Sequence, residues 1–228
     1  MNRIWIMPAI WSLAALSVWA QASHPALLDG TITVTNKNGE RVQILPGKKC
    51  TDLWVSPDES IIAFIAIEEE KPADKDGIEA FIQKSTIYVA QRTDDFRPVH
   101  VPAKISIDHR IWDVVREPKV SPDRRTIYFF VPDTMAAWTL IGKRVPDGRQ
   151  SVIGKAKDYC VVWGGGHSGD LAILARQEAT PGDPASGVAF SCSVRDRSGT
   201  LTKLKDDCWD AFSEVTNQWS RESGGTCK

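Results

Sequence analysis

Apolar and polar residues alternate along much of this chain with a period of two, the pattern of a β-strand with one buried face. Residues 31–35 read Thr-Ile-Thr-Val-Thr, Asn38-Gly39 follows, and residues 41–45 read Arg-Val-Gln-Ile-Leu. Alternation on both sides of an Asn-Gly pair predicts a hairpin, because both residues accept the positive φ of a tight turn. Residues 86–90 and 97–101 predict a second hairpin across 92–96. Residues 187–194 and 200–204 predict a third across 196–199. Helical periodicity is confined to the tail, where Phe212, Val215 and Trp219 share one face. A short helix over about 210–221 and an irregular covering segment both fit that spacing.

The first 22 residues follow another pattern. Asn2 and Arg3 precede an apolar run over residues 4–18, and Ala20-Gln21-Ala22 supplies small residues at a cleavage spacing. This is the form of a secretory signal peptide. The run is shorter than the roughly 20 residues of a membrane span, no basic cluster follows it, and no Cys stands just after it to carry a lipid. The expectation is cleavage near Ala22, a soluble mature chain, and a periplasmic or secreted location.

Removing 22 of 228 residues leaves 206, enough to bury one sizeable core. Arg3 is the only charge removed, so 27 basic residues face 29 acidic ones, a net of −2. Such a balance gives no bulk electrostatic reason to bind nucleic acid or an anionic bilayer. All five cysteines, at positions 50, 160, 192, 208 and 227, lie beyond the signal, and export would let disulfides persist. Their spacings do not suit zinc. Proximity in the tail favours a Cys208–Cys227 bridge, and Cys160 and Cys192 read as small buried hydrophobes inside strands.

Two stretches repeat. "LWVSPDESIIAFIA" from Leu53 aligns with "PKVSPDRRTIYFFV" from Pro118, so that Ser56-Pro57-Asp58 matches Ser121-Pro122-Asp123. "WGGGHSGDLAILA" from Trp163 aligns beneath them, with Gly165-Gly166-His167 under Ser-Pro-Asp and Leu171 onward under the apolar strand. The first two copies are 65 positions apart and the next two 44. The difference lies in a charged insertion at residues 68–83. Strand, Ser-Pro-Asp-Gly and strand resembles the TolB-type, WD-like β-propeller repeat. In that turn Pro presets the first φ, Asp binds nearby amides and Gly supplies positive φ. The chain departs from the family pattern at Glu59 and Arg124, which stand in place of Gly, and in its third copy.

The resemblance implies an all-β chain of antiparallel four-stranded blades forming a small or incomplete propeller of about 3.5–4 blades, residues 23–205, with a tail at 206–228. The blades would cover 52–101, 119–153 and 159–204, with the hairpin at 31–45 giving two strands of a further one. The tail would either complete a fourth blade or leave the stack open, with edges that invite a partner or a second copy.

Candidate chemistry is sparse. Gly166-His167-Ser168-Gly169 looks like a nucleophile elbow, but it lacks one spacer residue and is followed by a strand where an elbow needs a helix. The expectation is therefore a structural turn and no catalytic residue. Asp58 and Asp123 read as turn-capping residues. The acidic run from Glu68 lacks the ligand spacing of a calcium loop, so no metal or cofactor is expected. Trp54 and Trp163 read as packing between blades, and Trp112 and Trp138 are freer to line a groove. The resemblance implies a non-catalytic module of the bacterial cell envelope that holds another protein or a peptide, with self-association as a further mode. Two alternatives stand beside it: a propeller accompanying a hydrolase, and a degenerate fragment without activity.

Overall fold

The computed structural model describes residues 24–70, 83–101, 105–107, 110–112, 114–134, 137–145, 147–177 and 189–228. The signal segment, most of the charged insertion, His109 and the Trp112 side chain lie outside that set. Strands β1 (Ala26–Leu28), β2 (Thr31–Thr35) and β3 (Arg41–Ile44) form a three-stranded antiparallel sheet. Strands β4 (Lys49–Val55), β5 (Ile61–Glu70), β6 (Gln83–Gln91) and β7 (Val99–Val101) form the first four-stranded blade. A two-stranded hairpin, β8 (Ile105–Ile107) with β9 (Arg110–Trp112), leads to the second blade. That blade holds β10 (Arg116–Val120), β11 (Thr126–Thr134), β12 (Ala137–Arg144) and the first half of β13 (Gln150–Trp163). The second half of β13 pairs with β14 (Leu171–Gln177), which is followed by β15 (Ala189–Arg195) and β16 (Leu201–Asp206), making the third blade. Helix α1 (Phe212–Glu222) and the short β17 (Thr226–Cys227) end the chain.

The sheets stack face to face, which explains why their central strands are apolar at consecutive positions. In β5, Ile61, Ala63 and Ile65 pack toward Val120, Ile127, Phe129 and Val131 of the second blade. Ile62, Phe64 and Ala66, pointing the other way, meet Ile32, Val34 and Ile44 of the three-stranded sheet. Strand β11 does the same, with Phe130 facing Tyr159, Leu171 and Ile173 across the next interface.

Both ends of the stack are closed differently. The outer face of the first sheet carries Thr33, Arg41 and Gln43, with both Arg41 Nε and Nη2 donating to Thr33 Oγ1. The outer face of the third blade is apolar and is covered by the tail. Phe212, Val215 and Trp219 of α1 pack on Leu174, Cys192, Ala172 and Val194. Strand β17 adds to β13 through Val162–Cys227 and Trp163–Thr226. The tail therefore caps the stack and builds no fourth blade. The architecture is an incomplete propeller of three blades and a three-stranded partner sheet.

The cysteine pairing differs from the one that proximity favours. Cys160 bonds Cys227 and Cys192 bonds Cys208, with Cα separations of 5.5 and 5.9 Å. An eleven-residue helix, roughly 16 Å long, lies between Cys208 and Cys227. A disulfide spans only about 4.4–6.8 Å between Cα atoms, so the helix sets these two at opposite ends and each reaches a strand of the blade beneath it. Cys160 and Cys192 are buried as expected, but bonded. Cys50 is the free thiol, and it too is buried.

Candidate functional site, a groove between two blades

The two Ser-Pro-Asp turns share one hydrogen-bonding scheme, and the second of them builds a wall of the site. Ser56 Oγ donates to Asp58 Oδ1 at 2.6 Å and accepts from the Ile61 amide at 3.0 Å, while the Ser60 amide donates to Asp58 Oδ1 at 3.1 Å. Ser121, Asp123, Arg125 and Thr126 make the same set at 2.5, 3.0 and 2.9 Å. Pro57 and Pro122 occupy the first corner. Glu59 and Arg124 sit at φ 56° and 61°, the left-handed region that glycine favours. Burial opposes ionisation of Asp58, but hydrogen bonds from Ser56 and Ser60 outweigh it and hold the carboxyl below the ordinary range.

The third turn is longer. Val55 pairs with Ile62 and Val120 with Ile127, leaving six residues between, whereas Val161 pairs with Leu171 and leaves nine. Gly165-Gly166-His167 thus matches Ser-Pro-Asp when counted back from the following strand, and not when counted forward from the preceding one. Gly164 and Gly165 have φ of 77° and 65°, and a Cβ on Gly165 would fall 2.0 Å from the Ser223 carbonyl oxygen. The glycines let this turn lie flat against the tail, with the Gly166 amide donating to Ser223 O at 3.1 Å. His167 Nδ1 lies 3.0 Å from buried Asp170 Oδ2, and its ring stacks on Trp219 at 4.3 Å. Ser168 Oγ accepts from the Gly164 amide at 3.3 Å.

The inner strands carry a pattern that composition hides. Counting three residues back from Val55, Val120 and Val161 gives Asp52, Glu117 and Asp158, each at a register shift. The Glu117 amide donates to Asp52 Oδ2 at 3.3 Å. Lys119 donates to the Tyr159 carbonyl, with its ammonium 4.4 Å from that ring's centroid, and the single proton of the Tyr159 hydroxyl lies between the Glu117 and Tyr128 carbonyls, both within hydrogen-bond reach. Enclosure pushes Lys119 down and Glu117 up from their ordinary values. Trp54 and Trp163 meet at 5.8 Å beside this seam. Trp138 packs on Phe130 with Arg116 over its ring. These contacts make the inner strands a packed seam in which Asp52, Glu117 and Asp158 lie around Lys119 and Arg116. Among the described residues no group of three His, Cys, Asp or Glu side chains is placed to hold a metal ion.

One open space lies between the second and third blades, and a shallower one of about 810 Å³ lies on the first blade around Lys37, Asp95 and His100. A groove of about 480 Å³ is walled by the Ser121–Thr126 turn, Tyr128, Gly142, Arg144, Ser151 and Ile153 on one side, and by Ser168, Gly169, Leu171 and the residues from Arg195 to Gly199 on the other. The interface between the first and second blades has an equivalent but nearly filled cleft of about 100 Å³. Strand register gives the reason. Ala90 opposite Ile62 corresponds to Lys143 opposite Ile127, so Val89 and Gln91 correspond to Gly142 and Arg144, and Val99 corresponds to Ser151. Two valines in one cleft become glycine and serine in the next. Gly142 is not at positive φ; a Cβ there would lie 3.3 Å from the Tyr128 ring and 3.2 Å from Ser151 Oγ. Its lack of a side chain keeps the groove open.

The polar groups of this groove divide into spent and free. Asp123 accepts from Ser121 and the Arg125 amide. Asp196 accepts from Ser198 Oγ at 2.6 Å and the Thr200 amide at 2.9 Å, and the Ser198 bond holds it below the ordinary range. Arg144 lies 3.5 Å from Asp147. Arg195 and Arg197 have no ion pair or hydrogen bond among the described residues, and neither does the Tyr128 hydroxyl. Burial pushes Tyr128 up, so it stays a neutral donor. Sequence reasoning singled out none of Tyr128, Gly142, Ser151, Arg195 and Arg197. The signal that would have found them is the Val-to-Gly and Val-to-Ser change between aligned copies of the third and fourth strands.

No protein-family model matches the sequence, and no curated protein matches it. Among solved structures the chain is similar to the tricorn protease, with a TM-score of 0.51 and 8% identity, covering 78% of this chain and 15% of that one. It is also similar to the β-propeller domain of the Trilobed protease from Pyrococcus furiosus (TM-score 0.45, 18% identity, 78% and 49% covered) and to TolB from Acinetobacter baumannii (0.40, 14%, 80% and 43%). The chain spans less than half of each of these proteins, and the likeness is one of fold alone.

Proposed function

We propose that this protein is an exported, non-catalytic propeller module that binds another envelope protein or a peptide. The observation that carries the reading is the groove between the second and third blades. It is walled by strands and hydrogen-bonded turns, and it offers donors that no described residue uses. Two disulfides support an oxidising compartment, in keeping with the signal-like N-terminus. The non-catalytic part draws support from the glycine turn, where His167 is engaged by Asp170 and Trp219 while Ser168 is held by a backbone amide. No helix among the described residues is long and apolar enough to cross a membrane.

The test is affinity capture of the tagged full chain from cells that export it, in parallel with an Arg195→Glu, Arg197→Glu variant. One partner recovered at near-equal stoichiometry with the wild type and lost with the folded variant is the expected result. Recovery of the bait alone from both would count against the module reading. Ser168 should remain unlabelled by a fluorophosphonate probe, and stoichiometric labelling would reopen the hydrolase.

A further inference from the structure

We infer that the groove between the second and third blades receives a carboxylate-bearing peptide segment, with Arg195 and Arg197 holding the carboxylate and a neighbouring apolar side chain resting on Tyr128, Ile153 and Leu171. This inference rests on the binding-module reading and names the chemistry of its ligand. The lining supplies three guanidinium groups against two carboxylates, and Asp123 and Asp196 each accept two hydrogen bonds at Oδ1 inside their own turns. Cations outnumber carboxylates and the Arg195 and Arg197 side chains are unpaired among the described residues, so the complementary ligand group is an anion.

The backbone argues for a carboxylate over a phosphate. Phosphate sites are built from converging amide N–H groups. Here five amides of the lining turns are spent internally: Arg124 on Ser121 O, Thr126 on Ser121 Oγ, Ser168 on Gly165 O, Gly169 on Val162 O, and Gly199 on Asp196 O. Two planar guanidinium groups match a carboxylate without help from the main chain. The apolar floor argues for a peptide over a bare anion. Ile153 and Leu171 lie beside the Tyr128 ring, and the volume falls within the range of sites that enclose a ligand of several groups. A chain terminus and an acidic side chain both supply this chemistry, and the experiment separates them.

The full chain, with both disulfides formed, would be titrated by isothermal calorimetry with three unlabelled N-acetylated peptides: Ala-Ala-Ala-Leu with a free C-terminus, its C-terminal amide, and amidated Ala-Glu-Ala-Leu. Binding of one or both acid-bearing peptides at least tenfold tighter than the neutral amide is expected, and which one binds identifies the source. Arg195→Gln and Arg197→Gln should each weaken that binding at least tenfold. A Gly142→Val, Ser151→Val variant, which copies the filled cleft of the first interface, should block it. Equal affinity for all three peptides, no binding at millimolar concentration, or wild-type affinity in both Arg→Gln variants would overturn the inference. If the neutral and acidic peptides bind alike, or capture of the partner survives Arg195→Gln with Arg197→Gln, the carboxylate assignment falls while the module reading stands.

Discussion

At the residue scale, the turns show what a sequence departure means physically. Glu59 and Arg124 hold a left-handed conformation that costs an L-residue roughly 1–2 kcal/mol. Glycine recovers most of that and gives back part as chain entropy. Glu59 also pairs with His24, and Arg124 Nη1 donates to Gln91 Oε1 at 3.0 Å, exposed contacts of small worth. Glu59→Gly and Arg124→Gly should therefore each stabilise the fold by at most about 0.5 kcal/mol in urea titrations; a loss of stability in both would mean that these contacts outweigh the backbone gain. Ser56→Ala removes two hydrogen bonds and should cost about 1–2 kcal/mol. The Asp58 carboxyl titrates lower in the folded than in the unfolded chain. Its contribution is present above the ordinary Asp value of about 3.9 and is lost as pH falls through the lower folded value. Asp58→Asn should flatten the acid limb of the stability–pH curve there and leave the alkaline limb unchanged.

At the element scale, strands were legible wherever alternation or a doubly apolar run was local. The hairpin of β2 and β3 and the apolar β5 follow from neighbouring residues, although the hairpin turn runs from Asn36 to Gly39 with only Gly39 of the Asn-Gly pair at positive φ. The spacing of Phe212, Val215 and Trp219 fits a helix and a covering segment alike, and the structure makes it a helix. The disulfides were not legible, because the partners of Cys208 and Cys227 lie on strands β15 and β13 and become near only once the helix has docked. Peptide mapping without reduction should find the 160–227 and 192–208 links, and the unfolded, unreduced chain should expose one thiol to a titrant. The loop lengths of 67 and 16 residues correspond to about 4 and about 3 kcal/mol in the chain-entropy estimate, so Cys160→Ser with Cys227→Ser should be the more costly pair. The groove was not legible either. Arg195 lies at the end of a strand and Gly142 in the middle of another, and only register between sheets brings them together.

At the scale of the whole molecule, a propeller that does not close into a ring must deal with two faces. One is polar, and the other is covered by α1. Trp219→Asp should uncover Ala172 and Val194, and size-exclusion chromatography should then show association that the wild type does not. Phe64, wholly buried at the opposite interface, should cost about 3–5 kcal/mol when truncated to alanine. Between these faces, β13 belongs to two blades. Its 14 residues pair with β12 over the first half and with β14 over the second, sharing Ala156. Each half is laddered to one blade only, and the halves meet where the register shifts on both flanks and Gly154 takes φ 150°. The spacing of the second and third blades is therefore set at one bend within one strand. The width of the groove is written into that bend, and a residue there governs what fits without touching it.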